Sequence, residues 1–91
     1  MLKLLRSIRR FSTNLERVEA TVFDVVRSFD KVVPSLVDRN SKFEDLGLDS
    51  LDTIEVVVEL EERFKIDLSD QEVLKVHSVM DAINIFQKHV T

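Results

Sequence analysis

The stretch Lys42-Phe43-Glu44-Asp45-Leu46-Gly47-Leu48-Asp49-Ser50-Leu51-Asp52 sets one serine where a loop turns into a helix, among acids and apolar residues. The plain reading of Ser50 is a helix cap, because Ser is a favoured N-cap residue. A second reading gives it chemistry. A phosphate carried by a side chain at a helix N-terminus meets free N–H groups and the positive end of the helix dipole. That end tolerates a phosphodiester despite the neighbouring carboxylates. A serine nucleophile needs a base within reach. The histidines are His77, just ahead of a helix cap, and His89, near the end of the last helix. His89 reads as a favourable C-terminal charge or a surface residue, and His77 as an exposed loop residue able to approach Ser50. No Gly-x-Ser-x-Gly elbow and no phosphate-binding loop occurs. A calcium loop starting at Asp38 needs glycine at its sixth position, where Phe43 stands. Asp45 and Asp49 offer a divalent ion only a weak site. No catalytic set and no metal site is expected. Cysteine is absent, so any thiol chemistry must come from an attached group.

The elements that position Ser50 follow from hydrophobic spacing. Thr13-Asn14-Leu15-Glu16 fits a capping box. Leu15, Val18, Val22, Val25, Val26 and Phe29 then recur at helical spacing, which predicts helix one over 13–29. From Asp30 to Asp49 the period stops, and Pro34, Asp38-Arg39-Asn40-Ser41 and Gly47 mark a long loop. Long loops in compact domains are often functional. Val32, Val33, Leu36, Val37, Phe43, Leu46 and Leu48 are expected to pin it to the core. Helix two starts at Asp49 or Ser50 and runs to about Phe64. Ser69-Asp70-Gln71-Glu72 is a second capping box and opens a short helix three, about 70–76. Ser78 caps helix four, striped by Val79, Ala82, Ile83, Phe86 and Val90. The expected fold is all-α: a small four-helix bundle of three longer helices and one short one.

The chain has 91 residues, 44% hydrophobic and 33% charged, with one Gly and one Pro. That allows one domain and disfavours a many-turned β fold. No apolar run reaches the ~20 residues of a membrane span. Residues 1–14 hold Lys3, Arg6, Arg9 and Arg10 and no acid, for +4, so residues 15–91 carry −8. Such a body repels nucleic acid and anionic lipid and attracts basic proteins. The first residues, read as a helix, put Leu4, Leu5, Ile8 and Phe11 on one side and Lys3, Arg6 and Arg10 on the other. An Arg-rich, acid-free, amphipathic leader followed by Ser and Thr describes a mitochondrial transit peptide. Arg9-Arg10-Phe11-Ser12-Thr13 resembles a processing site. The expected division is therefore a leader over 1–13 and a domain over 14–91.

Helix two carries two apolar arcs. Thr53, Val56, Val57, Leu60 and Phe64 form one, wide enough to face the core. Leu51, Ile54 and Val58 form another, with Asp52, Glu55, Glu59 and Glu62 along its far edge. Either the second arc packs under the long loop, or it is an exposed patch with a polar rim, which marks a docking site. From Phe43 to Glu62 there are eight acids and no base. Asp49 and Asp52 suit the helix N-terminus. The rest repel one another unless basic partners, bringing Arg and Lys opposite Asp52, Glu55, Glu59 and Glu62, neutralise them.

The run Phe43-Glu44-Asp45-Leu46-Gly47-Leu48-Asp49-Ser50-Leu51-Asp52-Thr53-Ile54-Glu55, with Glu59-Leu60-Glu61-Glu62-Arg63-Phe64 after it, resembles the acyl carrier protein family. With the Arg-rich leader and Phe29-Asp30-Lys31-Val32, it resembles the mitochondrial type. The resemblance covers about 15–90. It implies 4′-phosphopantetheine on Ser50, flanked by Asp49 and Leu51, added by a phosphopantetheinyl transferase. It implies a carrier rather than an enzyme, holding acyl chains as thioesters for fatty acid synthesis and lipoate precursor supply in the mitochondrial matrix. Leu51, Ile54 and Val58 match the family's apolar contact positions, and Asp49, Asp52, Glu55 and Glu61 its acidic ones. The implied partners are fatty acid synthesis enzymes with basic docking surfaces. The alternative role is a scaffold subunit of respiratory complex I or of an iron–sulfur cluster assembly complex, held through Leu-Tyr-Arg-motif proteins. An unmodified helical interaction domain is a third reading. Lys65 stands where the family often has Gly, Ser69 where it often has Pro, Glu59 replaces a small residue and Arg63 interrupts an acidic run.

Overall fold

The computed structural model describes residues 13–90. The basic leader and the Thr13 side chain expected to cap the first helix lie outside the described residues. Among the described residues four α-helices form the bundle: α1 (Thr13–Arg27), α2 (Ser50–Phe64), α3 (Asp70–Val73) and α4 (Val79–Val90). α1 packs against both α2 and α4, and α2 touches α4.

Val18, Val22, Val25 and Val26 of α1 are wholly buried, and Leu15 is exposed because the stripe begins beyond the edge of the core. β-Branched residues are indifferent helix formers. A helix this rich in valine is held by its packing. α1 ends at Arg27, two residues before the expected Phe29. Ser28 and Phe29 N–H donate to the Val25 and Val26 carbonyls, three residues back, and the Ser28 hydroxyl donates to the Val25 carbonyl at 2.6 Å. The last turn tightens, and Phe29 still packs on the core from outside the helix.

The connection to α2 is more regular than expected. It contains two 3₁₀ turns, Pro34–Leu36 and Glu44–Leu46. Val32, Val37, Phe43 and Leu48 are buried and Leu46 packs against the core, but Val33 and Leu36 are exposed. Residues three apart eclipse in a 3₁₀ turn. The turn started by Pro34 therefore puts Val33 and Leu36 together on its outer side while the flanking Val32 and Val37 point in. A bridge between Lys42 and Ser78 ties the loop to the start of α4. In it Phe43 N–H donates to the His77 carbonyl and Val79 N–H to the Ser41 carbonyl, each at 3.0 Å.

α2 ends at Phe64 and is capped by Lys65, in the left-handed region at φ 58°, with its N–H on the Glu61 carbonyl. A lysine here carries the Cβ strain, of about 1–2 kcal/mol, that glycine avoids. Ser69 caps α3 through a reciprocal capping box with Glu72. α3 stops at Val73, short of the expected 76, because Lys75 and Val76 bond three residues back and turn the buried Val76 into the core. In α4, Val79, Ala82, Ile83 and Phe86 are buried as expected, Val90 packs at the margin, and Ser78 Oγ accepts from Asp81 N–H. The Phe86 ring lies 5.3 Å from that of Phe64.

His89 is more than a favourable end charge. Its Nε2 lies 2.9 Å from Glu72 Oε2 and links α4 to α3. This hydrogen bond, with the Ser69 N–H behind it, lowers the Glu72 pKa from 4.5 to about 2. A carboxylate depressed in the folded state stabilises above its unfolded pKa and loses that contribution as pH falls through the folded one. Glu72→Gln, which keeps a side-chain acceptor at the capping position, is expected to melt below wild type at pH 6. The gap should close between about pH 4.5 and 2. Thermal melts of both proteins across that range check it, and a gap independent of pH would refute it.

Candidate functional site

Asp49, not Ser50, caps α2. Asp49 Oδ1 accepts from Asp52 N–H at 2.9 Å, and Asp52 Oδ2 accepts from Asp49 N–H at 3.0 Å. The Thr53 N–H and hydroxyl both donate to the Asp49 carbonyl, at 2.9 and 3.0 Å. With capping done by its neighbour, Ser50 opens the helix as its first residue and is exposed. Among the described residues its hydroxyl has no hydrogen-bond partner. The Ser50 and Leu51 N–H groups at the positive end of α2 have none either, an arrangement that favours an anion.

The approach to Ser50 is built by the residues before it. Gly47, at φ 88°, closes the second 3₁₀ turn with its N–H on the Glu44 carbonyl at 3.1 Å. A Cβ there would find space, with the Lys31 carbonyl 4.0 Å away, so the backbone angle is what requires glycine. Leu48 N–H then donates to the Phe43 carbonyl, and its side chain is buried, which turns Asp49 and Ser50 outward. An open groove of about 620 Å³ runs beside them, lined by Lys42, Phe43, Leu48, Ser50, Thr53 and His77 among others. His77 therefore does share a surface with Ser50. No hydrogen bond joins the two, so the imidazole is not placed to take the serine proton. The exposed hydroxyl, the free N–H groups and the groove fit a phosphodiester-linked arm on Ser50.

The second apolar arc of α2 lies on the surface and not under the loop: Leu51, Ile54 and Val58 are 70%, 45% and 46% exposed. Val56, Val57 and Leu60 are buried in the first arc and Phe64 packs on the core. Thr53 is only half-buried, because its hydroxyl is held at the helix end by Asp49. Ile54 and Val58 also line a groove of about 420 Å³ against Leu68, Val73 and Leu74.

The acids differ more than the sequence suggested. Lys31 Nζ stands 2.7 Å from Asp52 Oδ2 and 3.7 Å from Asp49 Oδ2. The Asp52 side chain is only 14% exposed, and its pKa is lowered first by Lys31 and then by Asp49 N–H. Arg63 binds Asp24 of α1 at 2.8 Å and Glu59 at 3.3 Å, and both raise its pKa. Glu61 accepts from Leu68 N–H at 2.8 Å and fastens the turn after α2. Glu55 and Glu62 are exposed, with no ion pair among the described residues. The Lys31–Asp52 and Arg63–Asp24 pairs were not legible, because their partners lie 21 and 39 residues apart along the chain; only Arg63–Glu59 is a helical i, i+4 pair. Among the described residues no group of three His, Asp or Glu side chains could hold a metal ion, and no helix is long and apolar enough to cross a membrane.

Residues 20–85 match the family described as the phosphopantetheine attachment site. Acyl carrier protein 2, mitochondrial, of Arabidopsis thaliana is 42% identical over 90 residues, which span 90% of this chain and 71% of the relative. The putative mitochondrial acyl carrier protein of Schizosaccharomyces pombe is 42% identical over 84 residues, 90% of this chain and 75% of its own. An acyl carrier protein of Campylobacter concisus is 44% identical over 68 residues, 74% of this chain and 88% of its own. Proteins so named carry acyl groups and do not themselves catalyse, and the attachment site they share is for phosphopantetheine. With its capped helix, outward serine and helical bundle, this chain belongs to the acyl carrier protein family.

Proposed function

We propose that Ser50 is the attachment point of 4′-phosphopantetheine and that the protein works as the acyl carrier of the mitochondrial matrix, serving fatty acid synthesis and lipoate precursor supply. The observation that carries the reading is the exposed Ser50 hydroxyl, left without a partner among the described residues because Asp49 does the capping. When attached, the group supplies the thiol that this cysteine-free chain lacks and holds the acyl chain as a thioester. Asp49 and Asp52 fix the helix end, Gly47 and Leu48 aim Ser50 outward, and the Ser50 and Leu51 N–H groups would be free to bond the phosphodiester. Leu51, Ile54 and Val58 form the apolar centre of the docking face. Glu55, Glu59 and Glu62 form its acidic rim, with Asp49 and Asp52 at the serine end and Glu61 at its margin. The transferase and the synthesis enzymes meet this face with basic surfaces.

The mitochondrial names of the plant and fission yeast relatives and the composition of residues 1–13 support import with a removable leader, leaving 14–91 as the carrier domain. A scaffold role beside respiratory complex I or iron–sulfur assembly factors, through Leu-Tyr-Arg-motif proteins, is a second reading. It is favoured by Leu74, 71% exposed, which extends the apolar surface of Ile54 and Val58 across α3 and suits an apolar partner helix. The intact mass of protein purified from its own organelle tests the reading. It should lack the leader and carry phosphopantetheine, with acyl groups on a fraction that turns over. Bare polypeptide throughout would sink it, and one long acyl chain without turnover would favour the scaffold.

A further inference from the structure

We propose that Lys31 is a resident counter-ion on the docking face, standing on Asp49 and Asp52 in the place of a partner's cation, so that partners reaching Ser50 bind by displacing it. The inference rests on the reading of α2 as the docking helix. Lys31 is positioned by the turn that follows α1. Val32 N–H donates to the Phe29 carbonyl at 3.0 Å, and the Val32 side chain is buried, which anchors the backbone next to Lys31. Its ammonium is 2.7 Å from Asp52 and 3.7 Å from Asp49, the acids that flank Ser50. Asp52 is largely covered, at 14% exposure, while Asp49 is 63% exposed. An incoming cation therefore meets Asp49 first and gains Asp52 only when the Lys31 side chain swings away.

The exchange costs little. Lys31 is itself 53% exposed, and a solvent-exposed ion pair is weak. A lysine ammonium makes a point contact on a flexible stem, whereas an arginine guanidinium can bond two acceptors in one plane. The device therefore favours partners that bring arginine to the serine end of α2. Partners that touch only Glu55 and Glu62, which have no intramolecular cation among the described residues, bind without the exchange. The partner bound to reach Ser50 is the transferase, so Lys31 acts as a specificity-determining residue on modification.

The test uses the full-length unmodified chain, coenzyme A and a phosphopantetheinyl transferase, with initial rates at low ionic strength. Lys31→Gln should lower KM for the carrier about threefold with kcat unchanged, as expected for an exposed pair. Lys75→Gln makes the same charge change beside Asp81 and Lys88, and should move KM much less. In an Asp52→Asn background the Lys31→Gln effect should shrink, and about 0.5 M salt should flatten it. Lys31→Arg, with both carboxylates held more firmly, should raise KM above wild type, which keeps the test decisive if the glutamine variant folds badly. An unchanged or raised KM in a folded Lys31→Gln protein, or an equal fall with Lys75→Gln, overturns the proposal. Wild-type protein that gains no mass at Ser50 would defeat the functional reading instead, whereas modification at Ser50 with KM indifferent to residue 31 defeats this inference alone.

Discussion

Ser50→Ala will fold as the wild type does and accept no phosphopantetheine. The change removes one exposed oxygen that bonds to nothing among the described residues, since Asp49 and Asp52 cap α2 between themselves. Alanine is a good helix former, so the cost to stability should stay within about 0.5 kcal/mol. The other serines of the described residues do not compete well. Ser28 donates to the Val25 carbonyl, Ser41 bonds Asp38, and Ser69 and Ser78 cap α3 and α4. Ser35 is exposed, but it sits in a three-residue 3₁₀ turn and not at the end of a long helix. Incubation with coenzyme A and a transferase, read by intact mass, checks the expectation. The wild type should convert fully and the variant not at all, with matching circular dichroism. A variant that still gains the group would move the attachment elsewhere.

The second large effect is on the core. Phe86 is wholly buried and lies against Phe64. Phe86→Ala loses the transfer free energy of the ring and leaves a cavity, for about 3–5 kcal/mol. A domain of this size has roughly 5–14 kcal/mol of total stability. The substitution therefore removes a large share of it. The urea midpoint should fall by about 2 M or more, or the cooperative transition should vanish. Leu36→Ala is the contrast. Leu36 is large and apolar but exposed on the loop, so the same measurement should show a change within about 0.5 kcal/mol. Equal losses at the two positions would mean that the core is not where α1, α2 and α4 meet.

Both expectations rest on features with different legibility. The helices were readable because an amphipathic period repeats every few residues, and valine at Val18, Val22, Val25 and Val26 can only be buried by turning one face inward. The ends were less readable. Helix one closes at Arg27 and α3 at Val73 because carbonyls three residues back capture the next N–H groups, which apolar spacing does not register. The loop residues Val33 and Leu36 looked like anchors by composition alone. Their exposure depends on the turn geometry imposed by Pro34.

What the residues determined unaided was the acidic serine at a helix start, the two apolar arcs of α2 and the helical class, since each is written in contiguous or periodic positions. Which groups remain available at that serine was decided by the packed chain. Packing α1 and the following loop against α2 brings Lys31 onto Asp49 and Asp52 and Arg63 onto Asp24, and the turn after α2 engages Glu61. The bridge from Lys42 to Ser78 brings His77 to the groove beside Ser50. Charge cancellation acts through space over a few ångströms, so a run of acids reads as unopposed until the fold shows which cations stand next to it.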